Sequence, residues 1–193
     1  MADPHAITKM IDHVTRSFGP VDLLVSSAGV QRVARVEDFP PQSWNIVLAL
    51  NLSAPFHATR AVLPERNGRG FARTVNVAAS ADGLIASRFK SAYVAPKHGL
   101  AGLAKVVALE PAERGVTCNA ICLGYVWTSL VKRQVESQAR ARGISRDAVI
   151  RQVFAEHPRR RFARVKQIAA AVAFLRSEDA APTTGAALPV DGG

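Results

Sequence analysis

Cysteine is scarce in this 193-residue chain, which has two, Cys118 and Cys122. Two thiols make no disulfide framework and, without a second pair, no zinc site. They fall in an apparent strand, where at roughly 3.3 Å per residue they would stand ~13 Å apart, beyond disulfide reach. Both read as buried small side chains in a reducing, cytoplasmic compartment. Long apolar runs are lacking too: none reaches the ~20 residues that cross a bilayer. The opening Met1-Ala2-Asp3-Pro4-His5 has no basic segment followed by an apolar one, so neither a membrane partner nor a signal peptide is expected. The five histidines show no metal-ligand spacing, and no metal is expected. Acidic residues are outnumbered, 15 against 25 Lys and Arg, giving a net charge of +10. Such a balance raises the question of nucleic acid. The arginines are scattered, however, and the densest run, Arg159-Arg160-Arg161 with Arg164, stands beside Pro158 and reads as a loop. The charge is read as a solvated surface, with no nucleic-acid partner.

Repeats, low-complexity stretches and linkers are also missing, so residues 1–193 read as one domain. What is present is an alternation. Asp3-Pro4 reads as an N-cap with proline in the first turn, and Ile7, Met10, Ile11, Val14 and Phe18 follow at helical spacing up to Gly19-Pro20. Residues 21–25, 74–78, 116–123 and 188–190 are short apolar runs of strand length. Residues 43–63 and 92–113 read as long helices, 129–155 as a polar helical stretch, and 166–176 as another helix. Strands alternating with helices predict an α/β fold with a doubly wound parallel sheet, its strands buried on both faces. Ligands collect at the carboxyl ends of such strands. Those ends are residues 26–31, 80–83 and 124–128.

The sharpest motif is Tyr93-Val94-Ala95-Pro96-Lys97. Residues four apart share a helix face. An ammonium near a phenol favours the phenolate and lowers its pKa from about 10. A tyrosine so tuned passes a proton to or from an alcohol near neutral pH. Thirteen residues earlier, at a predicted strand end, stands Ser80. Asn51 is a polar residue inside an apolar helical run, and Ser26-Ser27-Ala28-Gly29 closes the first strand.

In this order and spacing, the motifs resemble the short-chain dehydrogenase/reductase family over about residues 3–193. The resemblance implies a Rossmann-like fold and hydride transfer between a nicotinamide cofactor, NAD with NADP not excluded, and a hydroxyl or keto group. It assigns Tyr93 as general acid/base, Lys97 to the tyrosine's pKa and the nicotinamide ribose, Ser80 to the reacting oxygen, and Asn51 to a relaying water. Ala28, Gly29, Gly124, Val126 and Thr128, together with Tyr93 and Lys97, would line the cofactor, with Leu123 where the family usually has proline. Long helices that pack across subunits in this family imply a homo-oligomer, a tetramer.

A narrower resemblance runs through Ala28-Gly29-Val30-Gln31, Lys90, Tyr125-Val126-Trp127-Thr128, Gln134 and residues 188–193. These are similar to the bacterial D-3-hydroxybutyrate dehydrogenases. The implied substrate is a small hydroxy or keto acid, 3-hydroxybutyrate going to acetoacetate. Its carboxylate would meet Gln31, position 82, Lys90 and Gln134, the last on a substrate lid spanning 129–157. Position 82 departs from the group: it is Asp82 where a histidine is expected.

The family begins with strands and a glycine-rich turn that hold the cofactor pyrophosphate. No such turn occurs here, so the sheet is expected to lack its first strands, with about 60 residues of the family pattern missing before an internal methionine, Met1. The alternative to an enzyme is therefore an inactive chain of the same fold. If Asp82 faces the substrate, two like charges 4 Å apart repel by ~4 kcal/mol at an effective dielectric of 20, much of it cancelled by Lys90. Asp82→His, in a chain carrying the glycine-rich front, is then expected to lower KM for 3-hydroxybutyrate about ten-fold relative to an uncharged secondary alcohol. An unchanged KM ratio between the two substrates would place Asp82 away from the carboxylate.

Overall fold

The computed structural model describes residues 3–66, 69–79, 88–155 and 157–193. The Asp3 carboxylate accepts the His5 backbone N–H at 2.9 Å and caps α1 (Pro4–Phe18), whose buried face is Ile7 and Ile11. Proline at the first helical position loses nothing, because that N–H has no partner inside the helix. β1 (Leu23–Ser26), β2 (Ala72–Ala79), β3 (Val116–Leu123) and β4 (Ala187–Val190) form one parallel sheet in the order β1-β2-β3-β4.

The register sorts the side chains by face. Leu24 pairs with Thr74, and Thr74 with Cys118, while Val75 lies on the opposite face. On one face Ala78, Cys118, Ala120 and Cys122 pack under Ala101, Ala104, Val107 and Ala108 of α4 (Ser91–Leu109). Beside them Leu24 meets Ile7 of α1 and Ala54 and Ala58 of α3 (Ala54–Arg66). On the other face Val75, Ile121, Leu188 and Val190 receive Ala171, Val172 and Leu175 of α7 (Val165–Arg176). Helices on both faces make the sheet doubly wound and Rossmann-like, as the alternation predicts.

Three predicted helices differ from the structure, each at a residue that explains it. The predicted helix over 43–63 is α2 (Pro41–Leu48), a π turn (Ala49–Ser53) and α3 in unbroken succession. Pro55 has no N–H to donate to the Asn51 carbonyl, and a widened turn is a standard accommodation. By length and composition the 26-residue run Pro41–Arg66 would cross a bilayer, but it packs against α1, α4 and β1. The predicted helix over 92–113 stops at Leu109, because Pro111 cannot donate to Val107; a 3₁₀ turn (Ala112–Arg114) follows. The stretch 129–155 is two helices, α5 (Ser129–Arg142) and α6 (Arg146–Val153). Gly143 separates them at φ 62, a left-handed C-cap that glycine adopts without penalty, and Ser145 caps the second.

Arg66 ends α3 with 1% of its surface exposed. Its Nε donates to the Val21 carbonyl and its Nη1 to the Thr74 hydroxyl, both at 2.8 Å. Burial lowers its pKa to about 10. The guanidinium thus ties the approach to β1 onto β2. Thr74→Val keeps shape but leaves a buried charged donor unpaired. The expected loss is about 1.5–3 kcal/mol, read by urea denaturation; a loss under about 0.5 kcal/mol would show that Nη1 finds another acceptor.

Candidate active site

The carboxyl ends of the strands open onto a cavity of about 410 Å³. Several parts of the fold supply its walls, Val77 and Ala78 of β2 among them. The segment after β1 supplies Gly29, Val30 and Gln31; α4 and its cap supply Lys90, Tyr93 and Lys97; the segment after β3 supplies Gly124, Tyr125, Val126 and Thr128; α5 supplies Leu130, Val131 and Gln134. Residues predicted from widely separated motifs therefore share one space.

The segment after β1 is held by Asn51. Its Oδ1 accepts the Val30 N–H at 2.9 Å and its Nδ2 donates to the Val30 carbonyl at 2.8 Å. The approach is so close that a Cβ at Gly29 would lie 2.7 Å from Asn51 Oδ1 and 3.9 Å from Lys97 Nζ. Only glycine fits there without a shift. Asn51 itself is buried behind this segment and Ala28 lies outside the lining, so neither side chain reaches the cavity wall.

Lys90 is placed by backbone geometry. Phe89 adopts φ 65, uncommon for a side-chain-bearing residue, and its carbonyl accepts the Ala34 N–H at 3.0 Å. Lys90 then caps α4, accepting from the N–H groups of Tyr93 and Val94 at 2.9 and 2.8 Å. Across the cavity Gln134 Nε2 donates to Gln31 Oε1 at 2.9 Å, joining α5 to the β1 segment 103 residues away.

α5 and α6 form an excursion closed at its base. Val126 pairs with Ala163 in a parallel bridge, with Trp127 N–H donating to Ala163 at 3.0 Å and Ala163 N–H to Tyr125 at 2.9 Å. Trp127 and Phe154 pack on Phe162 with ring centroids 4.4 and 4.6 Å away. Val135, Ala139 and Val149 form the excursion's own small core. Thr128 caps α5, its hydroxyl accepting the Val131 N–H at 3.3 Å.

The electrostatics correct one expectation. The motif predicts that Lys97 lowers the Tyr93 pKa, yet burial raises it. The ammonium is 5.8 Å from the centre of the Tyr93 ring, and it donates at 2.6 Å to the Val77 carbonyl. Burial lowers Lys97 itself to about 8, and lowers Lys90 too. Desolvation outweighs the pairwise attraction, pushing all three groups toward their neutral forms.

Ser80 and Asp82 lie outside the described residues. The sequence reading missed His157 and Asp191, which also line the cavity. Asp191 follows β4 directly, and the strand-end rule that selected the segments after β1, β2 and β3 applies equally there. His157 stands beside Pro158 in a basic loop, and no spacing marks it.

Lys97 has an ordinary pKa of 10.5 and a folded value of about 8, so the unfolded chain binds more protons between those pH values. Stability tied to this amine is lowest below about pH 8 and recovers as pH rises toward 10.5. Lys97→Met removes the titration. The stability difference, wild type minus variant, is expected to grow by about 3 kcal/mol between pH 8 and 10.5. Denaturation curves across that range check it; a flat difference would mean the amine is not desolvated.

The family described as Enoyl-(Acyl carrier protein) reductase matches residues 1–193. The D-beta-hydroxybutyrate dehydrogenase of Rhizobium meliloti (strain 1021) is 48% identical over 194 residues, covering 100% of this chain and 75% of the relative. The D-beta-hydroxybutyrate dehydrogenase of Cupriavidus necator is 44% identical with the same coverage, 100% and 75%. The acetoacetyl-CoA reductase of Allochromatium vinosum is 34% identical, covering 96% of this chain and 70% of the relative. Among solved structures, a single-residue variant of actinorhodin polyketide ketoreductase with NADPH superposes with a TM-score of 0.90 at 31% identity, covering 100% of this chain and 74% of that one.

Proposed function

The chain belongs to the short-chain dehydrogenase/reductase family of oxidoreductases, and from that premise we propose that its substrate is a small hydroxy acid, 3-hydroxybutyrate, oxidised to acetoacetate with NAD. The observation that carries this reading is the convergence of Gln31, Lys90 and Gln134 with Tyr93 on one cavity. A short hydroxy acid needs one cation and a few fixed donors for its carboxylate, and a proton-transfer group within a few ångströms at the other end.

The nicotinamide end of the cofactor fits the opposite wall. There the Gly29 backbone lies against Asn51 with no room for a side chain and near Lys97, and Gly124, Val126 and Thr128 line the same cavity. Bound there, the cofactor supplies the hydride acceptor or donor. Everything else falls to this chain. Lys97 holds a ribose hydroxyl. Gln31, Lys90 and Gln134 fix the carboxylate, and the α5–α6 excursion is the lid that carries Gln134 over it. Tyr93 takes the hydroxyl proton during oxidation and returns it during reduction, with Ser80 on the same oxygen and Asn51 behind it on the path to water. NAD rather than NADP is part of the proposal; the ketoreductase relative is the one with NADPH. Exposed Phe56, Val106 and Leu109 on the α3 and α4 surfaces support assembly of copies into a tetramer.

Because burial raises the Tyr93 pKa, the phenol is protonated at neutral pH. Oxidation is then expected to speed up as pH rises and reduction to slow. Tyr93→Phe keeps the ring and removes the proton donor, so turnover should fall by about 10²–10⁴-fold while cofactor affinity stays within about threefold, since the hydroxyl does not carry the cofactor. Following nicotinamide absorbance with 3-hydroxybutyrate and NAD measures this. More than about a tenth of the wild-type rate in the variant would remove Tyr93 as the proton-transfer group. No turnover by the wild-type chain with either NAD or NADP would favour the inactive chain of the same fold.

A further inference from the structure

His157 lines the same cavity as Tyr93, Lys90 and Gln134, and the roles above do not use it. It is held from several sides. Its backbone N–H donates to the Phe154 carbonyl at 3.2 Å, and its carbonyl accepts the Arg160 N–H at 3.0 Å. Its ring meets Phe154 edge-on, with centroids 5.4 Å apart and planes at 77°. On the other side Gly192 presses against it so closely that a Cβ there would stand 3.0 Å from His157 Cε1.

The ring nitrogens differ. Nδ1 is buried and has no hydrogen-bond partner among the described residues. A buried orphan N–H is disfavoured more strongly than an acceptor with an empty lone pair. The proton of the uncharged ring therefore belongs on Nε2. In that tautomer the ring offers one donor, Nε2–H.

That donor answers a shortage in the cavity. A carboxylate has two oxygens and about four lone-pair sites. One Gln134 Nε2–H is already engaged by Gln31 Oε1. Lys90 supplies a point charge without a fixed direction. Asp191, the nearby acid on the lining, has its Oδ1 turned to the Gly193 N–H at 3.0 Å.

We propose that His157 Nε2–H donates a hydrogen bond to the carboxylate of the bound hydroxy acid and so helps set the preference for an acid over a neutral alcohol. This rests on the hydroxy-acid reading above. The probes are D-3-hydroxybutyrate and uncharged 2-butanol, with dissociation constants measured on the full chain in the presence of cofactor. His157→Phe is expected to weaken D-3-hydroxybutyrate about ten-fold and leave 2-butanol unchanged. His157→Gln, which keeps an N–H donor, should recover most of the loss. Nitrogen-15 spectra of the wild-type chain provide a readout that needs no variant: His157 should carry its proton on Nε2, and that resonance should move when D-3-hydroxybutyrate is added. A proton on Nδ1, or an Nε2 signal that ignores the acid, overturns the proposal. If the wild type prefers the acid but His157→Phe keeps that preference, His157 is excluded and the hydroxy-acid reading stands. If the wild type shows no preference for the acid, the hydroxy-acid reading fails and this proposal fails with it.

Discussion

The Asn51 carboxamide bonds to both main-chain groups of Val30, and the site depends on that one pair of hydrogen bonds. The segment after β1 has no regular partner of its own. Its N–H and C=O groups would need water or another chain segment. Asn51 supplies both partners at once, from a π turn that the nearby Pro55 makes favourable. With the segment fixed, Gly29 lies against the Asn51 amide near the Lys97 ammonium, and Gln31 is presented to Gln134. A helix irregularity thus sets one wall of the cavity and the reach of α5 to it.

The strands were legible because a parallel sheet covered on both faces must be apolar throughout, and four such runs stand out. The long helices were legible in position but not in their interruptions. Pro55, Pro111 and Gly143 were all visible, yet whether a proline bends, widens or ends a helix depends on the packing around it. The pairs across the cavity follow from their motifs only because the family resemblance supplied them; spacing alone says nothing of a bond between residues 31 and 134. His157 shows the opposite case. In sequence it is one basic residue among several. Its role emerges only when the chain returns from α6 to the sheet and Gly192 closes on the ring.

The corrected electrostatics have a further consequence for the proposed reaction. Tyr93 and Lys90 begin with similar ordinary pKa values, 10.0 and 10.5. Burial raises the first and lowers the second, so both shifts favour the neutral forms. Reduction of a keto acid needs both groups protonated, the ammonium to hold the carboxylate and the phenol to donate. Oxidation of the hydroxy acid needs the ammonium together with the phenolate, a combination that shifts of opposite sign make scarce. A bound carboxylate beside Lys90 restores part of the lysine's affinity for its proton, and coupled groups titrate as a set rather than one by one. In the proposed reaction the substrate therefore contributes to the charge balance of the site. The Nε2–H of His157, proposed above as a further donor to the carboxylate, fits this arrangement because it adds a fixed direction to the point charge of Lys90.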